Sequence, residues 1–194
     1  MMFPLNHGVM AAPATSGPVS TWDLSTVAPE TGDWTLTNQD MTAIFNTSQS
    51  VIRSLPARST GKRYYEITVE NGGSQTAIAI AQIDFIGGSA LPSGGYVILR
   101  KNSQVFTTGG AYQGTTSAWS DGDIIGVAAD FDAGLVRFYI NGTPVGTNYS
   151  IASGEWFPGA VPQNYSGAAF TLAAEAGDLA HLPDGYMAWA EAES

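Results

Sequence analysis

The sequence predicts an all-β protein, an antiparallel two-sheet β-sandwich preceded by an extended N-terminal arm. Three observations predict it. Residues 122–146 read as two adjacent strands joined and closed by tight turns. The composition suits strands and turns, with 23 glycines in 194 residues, 11% aromatic and only 12% charged side chains. Long helical periodicity is absent, while short apolar or alternating runs recur between turn formers.

The clearest run is 122–146. Ile124, Ile125, Val127, Ala128, Ala129 and Phe131 are apolar on both faces, as a strand buried on both sides requires. Asp132-Ala133-Gly134 forms a short turn. A second strand over 135–140 places Val136, Phe138 and Ile140 on one face and Leu135, Arg137 and Tyr139 on the other. Asn141-Gly142 then carries the sequence signal of a type I′ hairpin.

The remaining elements follow in chain order. Residues 1–20 are rich in Pro, Ala and Ser and have no hydrophobic period, so they form an arm, and the sandwich occupies 21–194. Met1, Met2, Phe3, Leu5, Val9 and Met10 make this arm apolar. Such a segment left in water is a liability, so it is assigned to docking on a neighbouring subunit. Strands are predicted over 34–37, 42–46 and 51–55. Over 61–70, Tyr65, Ile67 and Val69 face in, while Tyr64, Glu66, Thr68 and Glu70 face out. A turn at 71–74 leads to a strand over 76–85, and a Gly/Pro/Ser loop covers 86–95. Strands over 96–100 and 104–108 flank a hairpin turn. Irregular loops are expected over 109–120 and 146–157, with a late strand over 168–173 and one helical turn over 176–181.

Four segments in series resemble the SPRY domain. In the first, Gly122, Asp123, Ile125, Gly126 and Asp130 match its "G-D-x-I-G-x-x-x-D" strand. Phe138, Tyr139, Asn141, Gly142 and Gly146 match the following "F-Y-x-N-G-x-x-x-G". Gly61-Lys62-Arg63-Tyr64-Tyr65-Glu66-Ile67-Thr68-Val69 is similar to the family's opening strand, with Tyr65 where Trp is common. Trp156-Phe157-Pro158-Gly159-Ala160-Val161 and Leu182-Pro183-Asp184-Gly185-Tyr186 resemble its later segments, so the match spans 61–190. Ala77-Ile78-Ala79-Ile80-Ala81 departs from the usual "G-V-G" pattern, which implies different packing there. The resemblance implies a concanavalin-A-like jelly roll that acts as a recognition module through loops at one rim.

The net charge is −10, from 17 acidic against 7 basic side chains, with Arg53, Arg58, Lys62 and Arg63 clustered together. A chain this acidic is poorly suited to phosphate backbones, so nucleic acid is not the expected partner. Cysteine is absent, which excludes disulfides and thiolate chemistry. No apolar run approaches the length of a membrane-spanning helix. The N-x-S/T triplets at Asn46, Asn141, Asn148 and Asn164 are assigned to chance, since Asn141 already serves a turn.

No catalytic or metal-binding constellation is predicted, and no cofactor. His7 and His181 are assigned structural or surface roles. Asp121, Asp123, Asp130 and Asp132 suggest calcium by composition, but the resemblance assigns Asp123 and Asp130 to turns. Glu66 with Glu70, and Asp130 with Asp132, are the carboxylate pairs open to glycoside hydrolysis, and neither has an aromatic subsite near it in sequence.

Binding remains. The candidate contact residues are the loop aromatics Tyr96, Tyr112, Trp119, Tyr149 and Trp156, with Trp156 the first to be assigned to the core instead. The function expected is a non-enzymatic virion protein on a phage capsid or tail. The resemblance leans toward SPRY segments of phage structural proteins, through the Asp130–Gly134 turn and the Pro183–Ala188 ending. It would attach through Met2, Phe3, Leu5, Val9 and Met10 in many copies, with other virion proteins or a host-surface glycan or protein as partners. A free-standing carbohydrate- or protein-binding module is the alternative, and a glycan-cleaving enzyme a remote one.

Overall fold

A computed structural model describes residues 20–28, 34–46, 51–85, 94–163 and 165–192. The arm residues Met2, Phe3, Leu5, Val9 and Met10 lie outside the described residues. The strands in chain order are β1 (Thr21–Ala28), β2 (Trp34–Thr37), β3 (Thr42–Phe45), β4 (Val51–Leu55), β5 (Lys62–Asn71), β6 (Ala77–Ala81), β7 (Tyr96–Arg100), β8 (Gln104–Thr107), β9 (Ala111–Thr115), β10 (Ile124–Asp130), β11 (Leu135–Ile140), β12 (Thr143–Ser150), β13 (Phe157–Val161), β14 (Ala169–Ala173) and β15 (Met187–Ala188).

They form two sheets. Sheet A runs β1-β4-β13-β6-β7-β8-β9, and sheet B runs β12-β11-β10-β5-β14-β3-β2, with the short β15 pairing parallel to β5. All other pairings are antiparallel, as the sequence predicts. The central hairpin has the predicted register, Ile125 opposite Ile140 and Asp130 opposite Leu135. Asn141 and Gly142 both adopt positive φ, 48° and 75°, which is what a type I′ turn needs. Asn141 adds to the turn by accepting the Ile124 N–H (2.9 Å) and donating to Asp123 (2.8 Å).

The two-residue period sorts each strand between faces. On β5, Tyr65, Ile67 and Val69 enter the core between the sheets, as do Ile78 and Ile80 of β6. The Tyr65 hydroxyl donates across that core to the Ala79 carbonyl, joining the sheets by a polar bond inside an apolar layer.

Several boundaries differ from the expectation. The strand expected over 76–85 ends at Ala81. The loop expected over 109–120 contains β9, and the first five residues of the loop expected over 146–157 belong to β12. Both are edge strands. Their residues are largely exposed and leave little buried pattern to read, and an edge tolerates the Pro144 of β12. In place of the helical turn expected over 176–181 there is a hydrogen-bonded turn at 176–178, closed by Asp178 N–H on the Glu175 carbonyl, followed by irregular chain.

That C-terminal stretch is a belt. It crosses the outer face of sheet B and covers Tyr64 and Glu66, which were expected to face solvent. Glu66 is 2% exposed. Its carboxylate accepts the N–H groups of Ala180 (2.7 Å) and His181 (2.9 Å) and the Tyr64 hydroxyl (3.0 Å). Burial, and then the Glu66 charge, push the Tyr64 phenol well above its ordinary range. The belt ends with Trp189 in the main core, its ring edge-on to Tyr65 and its indole N–H donated to Pro56 (2.7 Å).

Candidate functional site

Four of the five loop aromatics are core residues. Tyr96 lies in β7, its ring tilted against Phe85 at 5.3 Å, and its hydroxyl accepts the Gly110 N–H. Trp119 joins the main core, with the Lys101 ammonium 5.8 Å over its ring. Tyr149 sits opposite Val136 in β12 and packs at 6.1 Å against Phe138. Trp156 is 1% exposed and donates its indole N–H to Ala152. Tyr96 lies in the strand expected over 96–100, and pairing of β12 with β11 turns Tyr149 inward. Tyr112 alone of the five is exposed, on the edge strand β9, so the five do not form one surface.

The groove that the structure presents lies elsewhere, on the outer face of sheet B. A cavity of about 460 Å³ opens between the β2–β3 turn and Asp178 of the belt. Thr68 of β5 and Thr171 of β14 stand opposite each other and form its floor with Ala173. Asn38, Gln39 and Met41 form the wall. The floor carries an ordered row of hydroxyls. Thr171 donates to the Glu70 carboxylate (2.6 Å), so the proton shared between Thr42 and Thr171 (2.8 Å) comes from Thr42.

The wall is conformationally costly. Asn38, Gln39 and Asp40 have φ of 53°, 55° and 64°, three successive left-handed residues without a glycine among them. Each costs on the order of 1 kcal/mol relative to an ordinary conformation. Backbone bonds from both sheets hold the turn. The Asp40 carbonyl accepts the Trp22 N–H of β1 (2.9 Å), and the Met41 carbonyl accepts the Leu172 N–H of β14 (2.9 Å). A clamped turn can keep Asn38 and Gln39 aimed over the threonine floor. The lining holds amides, hydroxyls and the Asp178 carboxylate, with Glu70 at the end of the hydroxyl row, and it contains no cationic side chain. Such a surface matches a hydrogen-bond-donating ligand and repels an anionic one. The asparagine- and aspartate-rich stretch Asn38-Gln39-Asp40 was the sequence signal for this turn, since these side chains tolerate left-handed backbone best after glycine.

The basic cluster has internal work. Arg53 donates to the Phe85 carbonyl (2.6 Å). Arg58 donates to the carbonyls of Trp189, Ala190 and Glu191, and Arg63 also reaches Glu191, so both fasten the belt. Lys62 pairs with Asp130 at 3.0 Å. The aspartates considered for calcium close turns, Asp123 accepting the Ser120 N–H and Asp130 the Ala133 N–H. Asp132 accepts the Gly61 N–H.

Two antiparallel sheets with a polar groove on one rigid face define the class of protein, a β-sandwich scaffold that presents surfaces. A model of the SPRY domain family matches residues 62–175, more than half of the chain, and the chain belongs to that family. It is similar to the SPRY domain of human HERC1, with a TM-score of 0.65 at 13% identity over 78% of this chain and 96% of that one. The TRIM65 PSpry domain gives a TM-score of 0.62 at 14% identity, covering 79% and 88% of the two chains. Stonustoxin gives 0.59 at 14% identity, over 79% of this chain and 27% of that one. At such identities these likenesses establish the fold. No curated protein matches the chain in sequence. SPRY domains are typically protein–protein interaction modules and generally non-catalytic.

Proposed function

We propose that this chain is a non-enzymatic recognition module that holds a polar or basic peptide segment of a partner protein in the groove at the β2–β3 turn. One observation carries this reading: a costly left-handed turn, clamped from both sheets, stands over a floor of ordered threonine hydroxyls ending on a carboxylate. Backbone strain held in place by the surrounding fold is characteristic of ligand clamps. The glycan-binding alternative needs exposed loop aromatics, and four of the five are in the core. The enzymatic alternative loses its leading carboxylate, because Glu66 is buried and saturated by three donors.

Panning a displayed peptide library on the wild type and on Thr171→Arg, which fills the groove with a cation, tests the site. Donor-rich peptides should enrich on the wild type and be lost on the variant. Peptides retained equally by both would place recognition elsewhere.

The narrower placement, as a phage virion component on capsid or tail, rests on the sequence cues alone. Within it, residues 1–20 are one candidate anchor and the sandwich surface is the other. Mass spectrometry of purified particles, with this chain quantified against the major capsid protein, decides that placement. A fixed copy ratio supports it, and absence from particles removes it.

A further inference from the structure

Of the seven basic side chains, all but Arg137 are bound within the fold. Arg53 donates to Phe85, Arg58 and Arg63 hold the belt, and Lys62 pairs with Asp130. Arg100 donates to Gln104, with its guanidinium 4.4 Å from the centre of the Phe106 ring. Lys101 donates to the Gly72 carbonyl and pairs with Asp121. The Nε of Arg137 is buried, and among the described residues no acceptor stands within hydrogen-bond reach of it. A buried donor left without an acceptor costs stability, and one on a charged group costs more.

The register shows what surrounds this guanidinium. Arg137 lies on the outer face of sheet B, where its neighbour across the ladder is the short Ala128 of β10. On its other side β12 bulges. Val136 pairs with Tyr149 and Phe138 with Val145, so residues 146–148 stand out of the ladder beside Arg137. The result is a cavity of about 50 Å³ lined by Ala128, Asp130, Leu135, Arg137, Asn148 and, from the belt, Tyr186. Asp130 is already held by Lys62 and by the Ala133 N–H. Burial raises the Tyr186 phenol, and the charges of Lys62 and Arg137 oppose that without reversing it, so the phenol keeps its proton at neutral pH. The lining therefore offers a guanidinium, a phenol O–H and an amide, and its one carboxylate is paired.

We propose that this pocket is a second binding site, which receives a single carboxylate group on Arg137 with Tyr186 and Asn148 as flanking donors. A guanidinium edge takes a planar carboxylate through two parallel N–H···O bonds, and here one of them comes from the buried Nε. The volume admits a group of a few heavy atoms. Phosphate is disfavoured, because Asp130 lines the same space and repels the larger charge. The pocket shares no lining residue with the groove at the β2–β3 turn and takes the opposite charge, so it does not depend on the groove's role. An acidic side chain of a partner protein and a small free acid present the same chemistry to it.

The test is an NMR titration of the full-length, ¹⁵N-labelled protein at fixed ionic strength with sodium acetate, N-acetylglutamate α-amide and inorganic phosphate. The Arg137 Nε–Hε signal, identified by its loss in Arg137→Lys, should shift and saturate with both carboxylates. Phosphate should bind more weakly. In Arg137→Lys, followed through the backbone amides of Ala128 and Asn148, both carboxylate midpoints should weaken by about tenfold, because an ammonium keeps the charge and lacks the fork. Thr171→Arg, which blocks the groove, should leave the titration unchanged. A tighter midpoint for the capped glutamate assigns the carboxylate to a protein side chain, and a tighter one for acetate assigns it to a free acid; both support the site. A shift that never saturates, phosphate binding as tightly as acetate, or an undiminished midpoint in Arg137→Lys would overturn the proposal.

Discussion

The pair of Asp130 and Lys62 sits at the end of two adjacent strands, β10 and β5, and couples pH to stability at one residue. Burial alone would raise the Asp130 carboxyl, but the Ala133 N–H and Lys62 outweigh it and hold the group below its ordinary range. Lys62 is raised in turn, first by its hydrogen bond to Asp130. A carboxyl whose folded value lies below the unfolded value of about 3.9 stabilises the fold above that pH, and the contribution is lost as pH falls through the folded value. Lys62 has the opposite sign, its contribution present below the unfolded lysine value and lost in strong alkali. Both operate at neutral pH. Lys62 is half exposed, so solvent screens the pair. Asp130→Asn should therefore cost about 0.5–1 kcal/mol at pH 7, and less as pH falls through the folded carboxyl value. Urea titrations of both proteins from pH 7 downward measure it, and a difference that does not shrink with acid would show that packing, not charge, is responsible.

Among the elements, the β2–β3 turn is where local preference and tertiary demand conflict most. Gln39 is the one of the three left-handed residues whose side chain gains nothing locally from that conformation, since only Asn and Asp bond readily to their own backbone there. Gln39→Gly should raise stability by about 0.5–1 kcal/mol, because glycine accepts positive φ without the Cβ clash. It should also weaken capture of library peptides, because the wall loses its amide. A thermal melt and the same panning read both effects, and a variant that is less stable than wild type would mean the Gln39 side chain holds the turn. The contrast with the β10–β11 hairpin explains what was legible. There the turn residues, the buried runs and the pairing partners are adjacent in sequence, so strand and register follow from local physics. The groove was not legible, because Thr68, Thr171 and Asn38 come together only through pairings across the whole chain. The burial of Tyr149 and Trp119 was hidden for a different reason: an aromatic between turn formers reads identically whether it plugs the core or faces solvent.

Across the whole molecule, most closure is non-local. Sheet A places β13 between β4 and β6, so a strand at 157–161 must enter between strands at 51–55 and 77–81. Sheet B likewise sets β14 beside β5. Loop-closure entropy for such pairings precedes the contacts that reward it, which puts folding in the range of milliseconds to seconds. The C-terminal belt can dock only after the outer face of sheet B exists, because its partners Tyr64, Glu66 and Arg63 come from β5, with Arg58 just before it. Arg58 makes three charge-assisted bonds to belt carbonyls, and removing them should cost about 2 kcal/mol. If the belt docks late, nearly all of that loss falls on the unfolding rate. Arg58→Ala should then unfold about thirtyfold faster, with the folding limb of its chevron superimposed on that of the wild type. A slowed folding limb would put the belt in the nucleus, with residues 58 and 189–191 meeting before the sheets close.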